Sequence, residues 1–486
     1  MKKINLLLKF SLIAFLVSVF AACSGSNVNE IEPQAAVSSF MGANDKIVAF
    51  GSANLNEILT KADYKSVPKL GLILSGEIDE FENMIDLNSP IYYAVEGPMD
   101  REGIPQATYG FLKVKSADSL VAKLIQMGYD IDEEAEIRTG QDEGFAIGIR
   151  GSLAIIIAKE GEFDGKKMLE KAFEMTEDEA VGGKVDKILA SKADIVMGVN
   201  VETLYATSET DLSKLSEEKQ KELKEMVANS FVQTTFKFED GAAIIETKNL
   251  FSEKLMSQMF MKSDDKASLL AKLGKGNPRF GFSMNIDVKK LQNFMKEFSP
   301  EAEDELARRL GGPFQLALIA AGKDGFSALI DGKFGVVMLG DENGSINEPN
   351  FNLFLGLAKK GYDLGKQAEE FLSYGESVVN LEKNGLSMYT NASYAPPGKL
   401  KLPKGCENFG KSGFSAFFNF DGLDFDELDL EGEENVIRIV KYMTVDYNND
   451  GGRIYIKARD GKENVLEQAV KEIVGELADE ISGISI

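Results

Sequence analysis

The 486-residue chain has no histidine, no tryptophan and two cysteines. Without histidine there is no imidazole to act as general base, to hold a metal, or to activate a serine or cysteine nucleophile. Cys23 and Cys406 are the two thiols, so once either is modified the chain can form no internal disulfide and no thiolate zinc site. Cys406 then reads as a small packed residue rather than a reactive one. The missing tryptophan argues against an aromatic sugar platform, although 31 Phe and 13 Tyr remain. Positive charge is scarce as well: 54 Lys and Arg stand against 78 Asp and Glu, a formal net charge of −24. A surface so acidic repels nucleic acid and anionic lipid, so no nucleic-acid partner is expected.

The first 23 residues carry the strongest positive signal. Lys2, Lys3 and Lys9 make a basic start, Phe10–Ala22 is apolar or small, and Cys23 follows Ala21-Ala22. These 13 residues rise about 20 Å as a helix, short of the ~30 Å hydrocarbon layer, so they read as an export signal. At Ala21-Ala22-Cys23 the chain resembles the bacterial lipoprotein signal. That resemblance implies a signal peptide over 1–22, diacylglycerol on the Cys23 thiol and a further acyl chain, palmitate, on its amine. More than one acyl chain gives lasting attachment. By the same resemblance, Ser24 after the cysteine and a first acid only at Glu30 imply the cell outer membrane, with the periplasmic face favoured over the cell surface. Processing would leave 51 basic against 78 acidic residues, a net charge near −27.

Residues 23–43, small and polar with one proline, read as a flexible tether. Beyond them a pattern recurs four times: an apolar run, then Asn, an apolar residue, and a capping or acidic residue. The copies are Val48–Asn54-Leu55-Asn56, Ile195–Asn200-Val201-Glu202, Phe280–Asn285-Ile286-Asp287 and Phe414–Asn419-Phe420-Asp421. Each reads as a strand ending in a turn, with the residue after next able to cap a helix. The four Asn are assigned turn chemistry in preference to a ligand ring. Segments starting at Thr235 and Thr444 read as paired hairpins with Asp-Gly turns, and Phe111–Leu124 matches Phe354–Leu372 as strand then helix, with Ser116 as cap and Gly128 as stop. The expected fold is α+β, two tandem, internally duplicated halves over 44–274 and 275–486, with largely antiparallel sheets and packed helices.

Other motifs carry less. Gly405-Cys-Glu-Asn-Phe-Gly410-Lys411-Ser412 matches the phosphate-loop pattern, but Pro403 precedes it and a strand, not a helix, follows, so no nucleotide is expected. Asp446, Asn448 and Asp450 resemble the opening of a calcium loop, a weak candidate because Lys457 stands where the bidentate Glu belongs. Ser-x-x-Lys occurs at Ser66/Lys69, Ser216/Lys219 and Ser263/Lys266, a frequency expected by chance, and Ser216 lies in a charged run, 211–225, that reads as a solvated helix. The acidic stretch 421–434 reads as solvated loop. No cofactor is expected.

The signal, the length and the repeated strand–Asn–helix openings resemble an uncharacterised family of Bacteroidetes lipoproteins described only as a domain of unknown function. The resemblance implies an envelope protein and brings no catalytic residues. The expected function is therefore a lipid-anchored, non-catalytic binding or interaction module, meeting the membrane through its lipid and another envelope protein as partner. The alternatives are a His-independent hydrolase using paired carboxylates on glycan or peptide, and binding of a small molecule or lipid between the two halves.

Overall fold

The computed structural model describes residues 32–482, apart from 101, 208–214, 265–266, 341–349, 368–376 and most of 67–81, 300–317 and 422–436. The lipidation residue Cys23 and the signal lie outside the described residues. In chain order the elements begin with α1 (Pro33–Ala43), β1 (Ile47–Ala53), α2 (Leu55–Ala62), β2 (Ile91–Met99), β3 (Pro105–Lys113) and α3 (Ala117–Gln126). Next come β4 (Arg138–Asp142), β5 (Phe145–Arg150), β6 (Leu153–Ala158), α4 (Gly165–Met175), α5 (Gly183–Leu189), β7 (Ile195–Asn200) and α6 (Val201–Thr207). The middle of the chain holds α7 (Glu217–Val227), β8 (Phe231–Glu239), β9 (Ala242–Leu250), α8 (Glu253–Gln258), β10 (Pro278–Asn285) and α9 (Val288–Phe298). It ends with β11 (Ile330–Leu339), β12 (Asn350–Leu357), α10 (Lys359–Gln367), β13 (Val378–Glu382), β14 (Gly385–Tyr389), β15 (Phe414–Asn419), β16 (Val440–Asn448), β17 (Gly451–Ala458) and α11 (Val465–Ser482). Helices pack on antiparallel strands throughout, and the fold is α+β.

Two compact units share these elements. The first takes residues up to 210 with 229–240 and 463–486; the second takes 211–228 and 241–462. The units therefore interleave in sequence, whereas the consecutive halves 44–274 and 275–486 do not. In the first unit the strand order is β8-β7-β1-β2-β3-β6-β5-β4. In the second it is β9-β17-β16-β15-β10-β11-β12-β14-β13. The four strands of the repeated pattern are neighbours in pairs: β1 lies beside β7, and β10 beside β15.

Two expectations are corrected here. Residues 33–43 are not tether but α1, started by Pro33, with Ala36, Val37, Phe40 and Met41 buried. Their i, i+3/i+4 spacing makes an apolar stripe, and the Phe40 ring packs tilted at 4.6 Å from Tyr109 and 5.3 Å from Phe111. The segment at Thr235 is not a hairpin: β8 pairs with β7 and β9 with β17, so Asp240-Gly241 carries the chain from one unit into the other. Its counterpart is a hairpin, closing β16 on β17 with Asn448 opposite Gly451.

Helix capping departs from the pattern in detail. Asn54 and Asn200 themselves accept from Glu57 N and Thr203 N, whereas Asp287, two residues past Asn285, caps α9. Asn419 accepts from Asp421 N in a local turn. Ser116 precedes α3 without a side-chain cap bond and donates instead to Ser119 Oγ.

In the first unit α3 closes one sheet face through Leu120, Val121 and Leu124, packed on Ile147, Ile149 and Ala154. In the second, the two faces of the sheet differ. On one, Val337, Leu339 and Phe417 are fully buried beneath Leu269, Leu273 and Phe409. On the other, register aligns three apolar rows: Phe418–Phe280–Met338–Phe351, Ala416–Phe282–Val336–Leu353–Met388 and Phe414–Met284–Phe334–Leu355–Leu386. Apart from buried Ala416, these side chains stay partly exposed; Phe351 and Met388 reach 39% and 38%.

Candidate functional site

In the first unit the end of β1 and the start of β7 meet at the Ala53–Ile195 pair. Backbone bonds continue past the ladder: Asn54 N donates to Asp194 O at 2.8 Å, and Asp194 N to Phe236 O at 3.1 Å. This places the Asp194 side chain where β1, β7 and β8 converge. Asn54 starts α2, and Lys61, in the last turn, reaches Asp194 Oδ1 at 2.5 Å. Asp194 Oδ2 accepts from Phe238 N at 2.6 Å. At 4% exposure Asp194 is the one fully buried carboxylate among the described residues. An ammonium and an amide together compensate its desolvation.

A cleft of about 520 Å³ opens over this pair. Ser52, Asn54 and Tyr92 line it with Lys61, and charged residues of both signs join them: Lys192, Lys237, Glu57 and Glu239. Its size is that of a small-ligand site. Tyr92 donates to Gln34 Oε1 at 3.2 Å, and burial, helped by the nearby Glu32 charge, pushes its phenol above the usual range. It therefore stays protonated and acts as a donor. The cleft offers hydrogen bonds and balanced charge. Of its three carboxylates, Asp194 is already engaged by Lys61 and Phe238 N, while Glu57 and Glu239 also line the cleft.

The sequence-nominated residues lie elsewhere, in the second unit. Asp446 and Asn448 sit on one face of β16, and Asp450 in the turn after it. Asp446 Oδ1 accepts from Ser412 Oγ at 3.2 Å; Asn448 Oδ1 accepts from Gly413 N at 2.8 Å and Ser263 Oγ at 3.1 Å. Their oxygens thus staple neighbouring loops to the hairpin. Among the described residues no three acidic or cysteine side chains gather as a metal site. Burial raises the Asp446 carboxyl above its ordinary value despite the two serine hydroxyls.

The phosphate-loop look-alike runs through turns straight into β15, and its amides are used internally: Gly405 N donates to the Glu407 carboxylate and Gly410 N to Ser415 Oγ. Cys406 within it is buried, and its thiol is pushed up to about 12 by burial, then by Glu407 and Asp446. Of the Ser-x-x-Lys pairs, Ser216 caps α7 through Lys219 N, while the Lys219 ammonium pairs with Glu222 and Glu297. Lys69 and Lys266 lie outside the described residues.

The Lys61–Asp194 cleft escaped sequence reading because its partners stand 133 positions apart. One signal was present: an acid, Asp194, stands six residues before Asn200, where the other copies have Val48, Arg279 and Gly413.

No described protein family matches the chain, and no curated protein matches it. Among solved structures, crystal form III of TP0453 is 10% identical, covering 46% of this chain and 81% of that one, with a TM-score of 0.28. Crystal form I of TP0453 is 11% identical, covering 75% and 94%, with a TM-score of 0.21. Likeness at that level is similarity without an assignment of fold family or activity.

Proposed function

We propose that this chain is a lipid-anchored envelope protein that works by binding, and that the Lys61–Asp194 cleft takes a small polar ligand carrying charges of both signs. The observation that carries the reading is the cleft's lining. Lysines and glutamates line the cleft together with the buried Ser52 hydroxyl and Tyr92 phenol, while the sole buried carboxylate among the described residues is neutralised by its own lysine. A histidine-free chain lacks the commonest general acid–base group. The anchor is supported by Ala21-Ala22-Cys23. Among the described residues no helix is long and apolar enough to cross a membrane.

Two measurements test the reading. Cells expressing Cys23→Ser should lose incorporation of labelled palmitate into this protein, and wild type should fractionate with the outer membrane, shielded from protease in intact cells. Native mass spectrometry of protein from its own host should show a retained small molecule, lost in Lys192→Glu/Lys237→Glu. An uncleaved, unacylated cytosolic protein would defeat the anchor. A cleft empty in wild type and indifferent to amino acids and short peptides by calorimetry would defeat the ligand.

A further inference from the structure

Strand register places Ser52 in the floor of the polar cleft. It pairs with Tyr92 of β2 on one side and Val196 of β7 on the other, and Val196 pairs in turn with Thr235 of β8. Directly paired residues share a sheet face, so the Ser52 and Tyr92 side chains rise together beneath the opening. Ser52 is 5% exposed, and among the described residues its Oγ has no hydrogen-bond partner. A buried hydroxyl without a partner is unfavourable unless something entering the cleft satisfies it. Asn54, two residues on, has its Oδ1 held by Glu57 N at 3.3 Å, which fixes the amide and leaves Nδ2 as a second unpartnered donor. The charged groups of Glu57, Lys192 and Glu239 also line the cleft, and none of them has an ion-pair partner among the described residues.

We infer, resting on the cleft reading above and narrowing it, that the ligand is a peptide of two or three residues with both termini free, and that Ser52 is a residue that recognises it. Hydroxyl and amide donors in the middle call for carbonyl acceptors, and unpaired charges of both signs call for an ammonium and a carboxylate. A peptide brings all of these: its inner carbonyls face Ser52 Oγ and Asn54 Nδ2, its ammonium a glutamate, and its carboxylate Lys192. A free amino acid carries both charges on one carbon and has no carbonyl left over for the floor. Reach agrees with chemistry. From β1 across β7 to β8 the floor runs about 10 Å at ~4.8 Å per strand, and an extended chain covers ~3.3–3.6 Å per residue. Three residues therefore stretch from the Ser52 hydroxyl to the charges at the β8 end, and one does not. A neutral oligosaccharide would satisfy the floor but leave Glu57, Lys192 and Glu239 without counter-charge as the cleft loses water. The cleft volume of about 520 Å³ lies in the range of such small ligands.

The test is calorimetry of the mature chain with trialanine, alanine, N-acetyl-trialanine, trialanine amide and maltotriose. Trialanine is expected to bind at least about tenfold more tightly than alanine, and blocking either terminus should weaken it about tenfold by removing one charge-assisted contact. Ser52→Ala should weaken trialanine about three- to tenfold without lowering the urea midpoint, because the hydroxyl it removes has no partner in the fold. Alanine binding as tightly as trialanine, indifference to either blocking group, or a preference for maltotriose overturns the peptide and leaves the cleft as a site for another polar ligand. Unchanged trialanine affinity in Ser52→Ala overturns the recognition role of the serine. No heat from any of the five probes overturns the peptide, and native mass spectrometry that also finds nothing retained removes the cleft reading with it.

Discussion

Lys61 Nζ lies 2.5 Å from Asp194 Oδ1, joining the end of α2 to the start of β7 across 133 residues of sequence. Asp194 is buried while the Lys61 side chain keeps 27% of its exposure, so the two partners are unequal. Lys61→Met strands a buried carboxylate and should lower stability by about 2–3 kcal/mol. Asp194→Asn retains an acceptor for Phe238 N and frees a solvated lysine, so it should cost less. A urea-unfolding double-mutant cycle should give a coupling of at least about 1 kcal/mol. Strict additivity would mean the pair contributes nothing as a pair.

Cys406 should be chemically silent. Its thiol, raised to about 12 by burial and two neighbouring acids, carries almost no thiolate near neutrality. Iodoacetamide at about pH 8 should leave it unmodified in the folded chain and alkylate it fully in guanidinium. Rapid alkylation without unfolding, read by mass spectrometry, would contradict the burial.

Asp446 should work against stability at neutral pH. Its carboxyl is raised in the fold, so the folded state binds the proton more readily than the unfolded chain does. The resulting penalty is absent below the ordinary carboxylate range and complete above the raised value. Asp446→Asn keeps an acceptor for Ser412 and removes the charge. It should therefore raise the unfolding free energy measured in urea at about pH 7.5 by less than about 1 kcal/mol, and lose that advantage near about pH 3.5. An equal effect at both values would place the cause elsewhere.

Cutting the chain at 274/275 should yield two fragments that do not fold alone. The first lacks 463–486 of its own unit; the second lacks β9, leaving the β17 edge at Gly451–Lys457 unpaired. Mixed together, they should recover cooperative unfolding, whereas either one alone should show a broad, non-cooperative melt by circular dichroism. A sharp melt for the isolated 44–274 fragment would show that the C-terminal segment is dispensable.

The repeat pattern was legible because strand alternation and Asn turns are local properties. Ile195–Asn200 is β7 residue for residue, and Phe414–Asn419 is β15. That the same strands would pair, β1 with β7 and β10 with β15, was not written locally. The helix at 33–43 was missed because its small polar residues suggest linker, while its stripe of Val37, Phe40 and Met41 only matters once Tyr109 and Phe111 are in place. The polar cleft was missed for a related reason. A buried lysine–carboxylate pair has no sequence period, and its identity depends on which strand ends the topology brings together. Asp446, Asn448 and Asp450 show the converse, since the ligand-like spacing was real but a hairpin and its neighbouring loops had already claimed two of the side chains.

Asn464 donates through Nδ2 to the carbonyl of Phe238, 226 positions earlier. A chain threaded outward N-terminus first would present β8 long before Asn464 and α11 arrive, and residues 241–462 of the second unit would emerge in the interval. The early unit must then wait, incomplete, for a segment that trails the late one. Maturation of this protein is thereby set by its final stretch, and a ribosome stalled anywhere before residue 463 would release neither a working first unit nor a finished molecule.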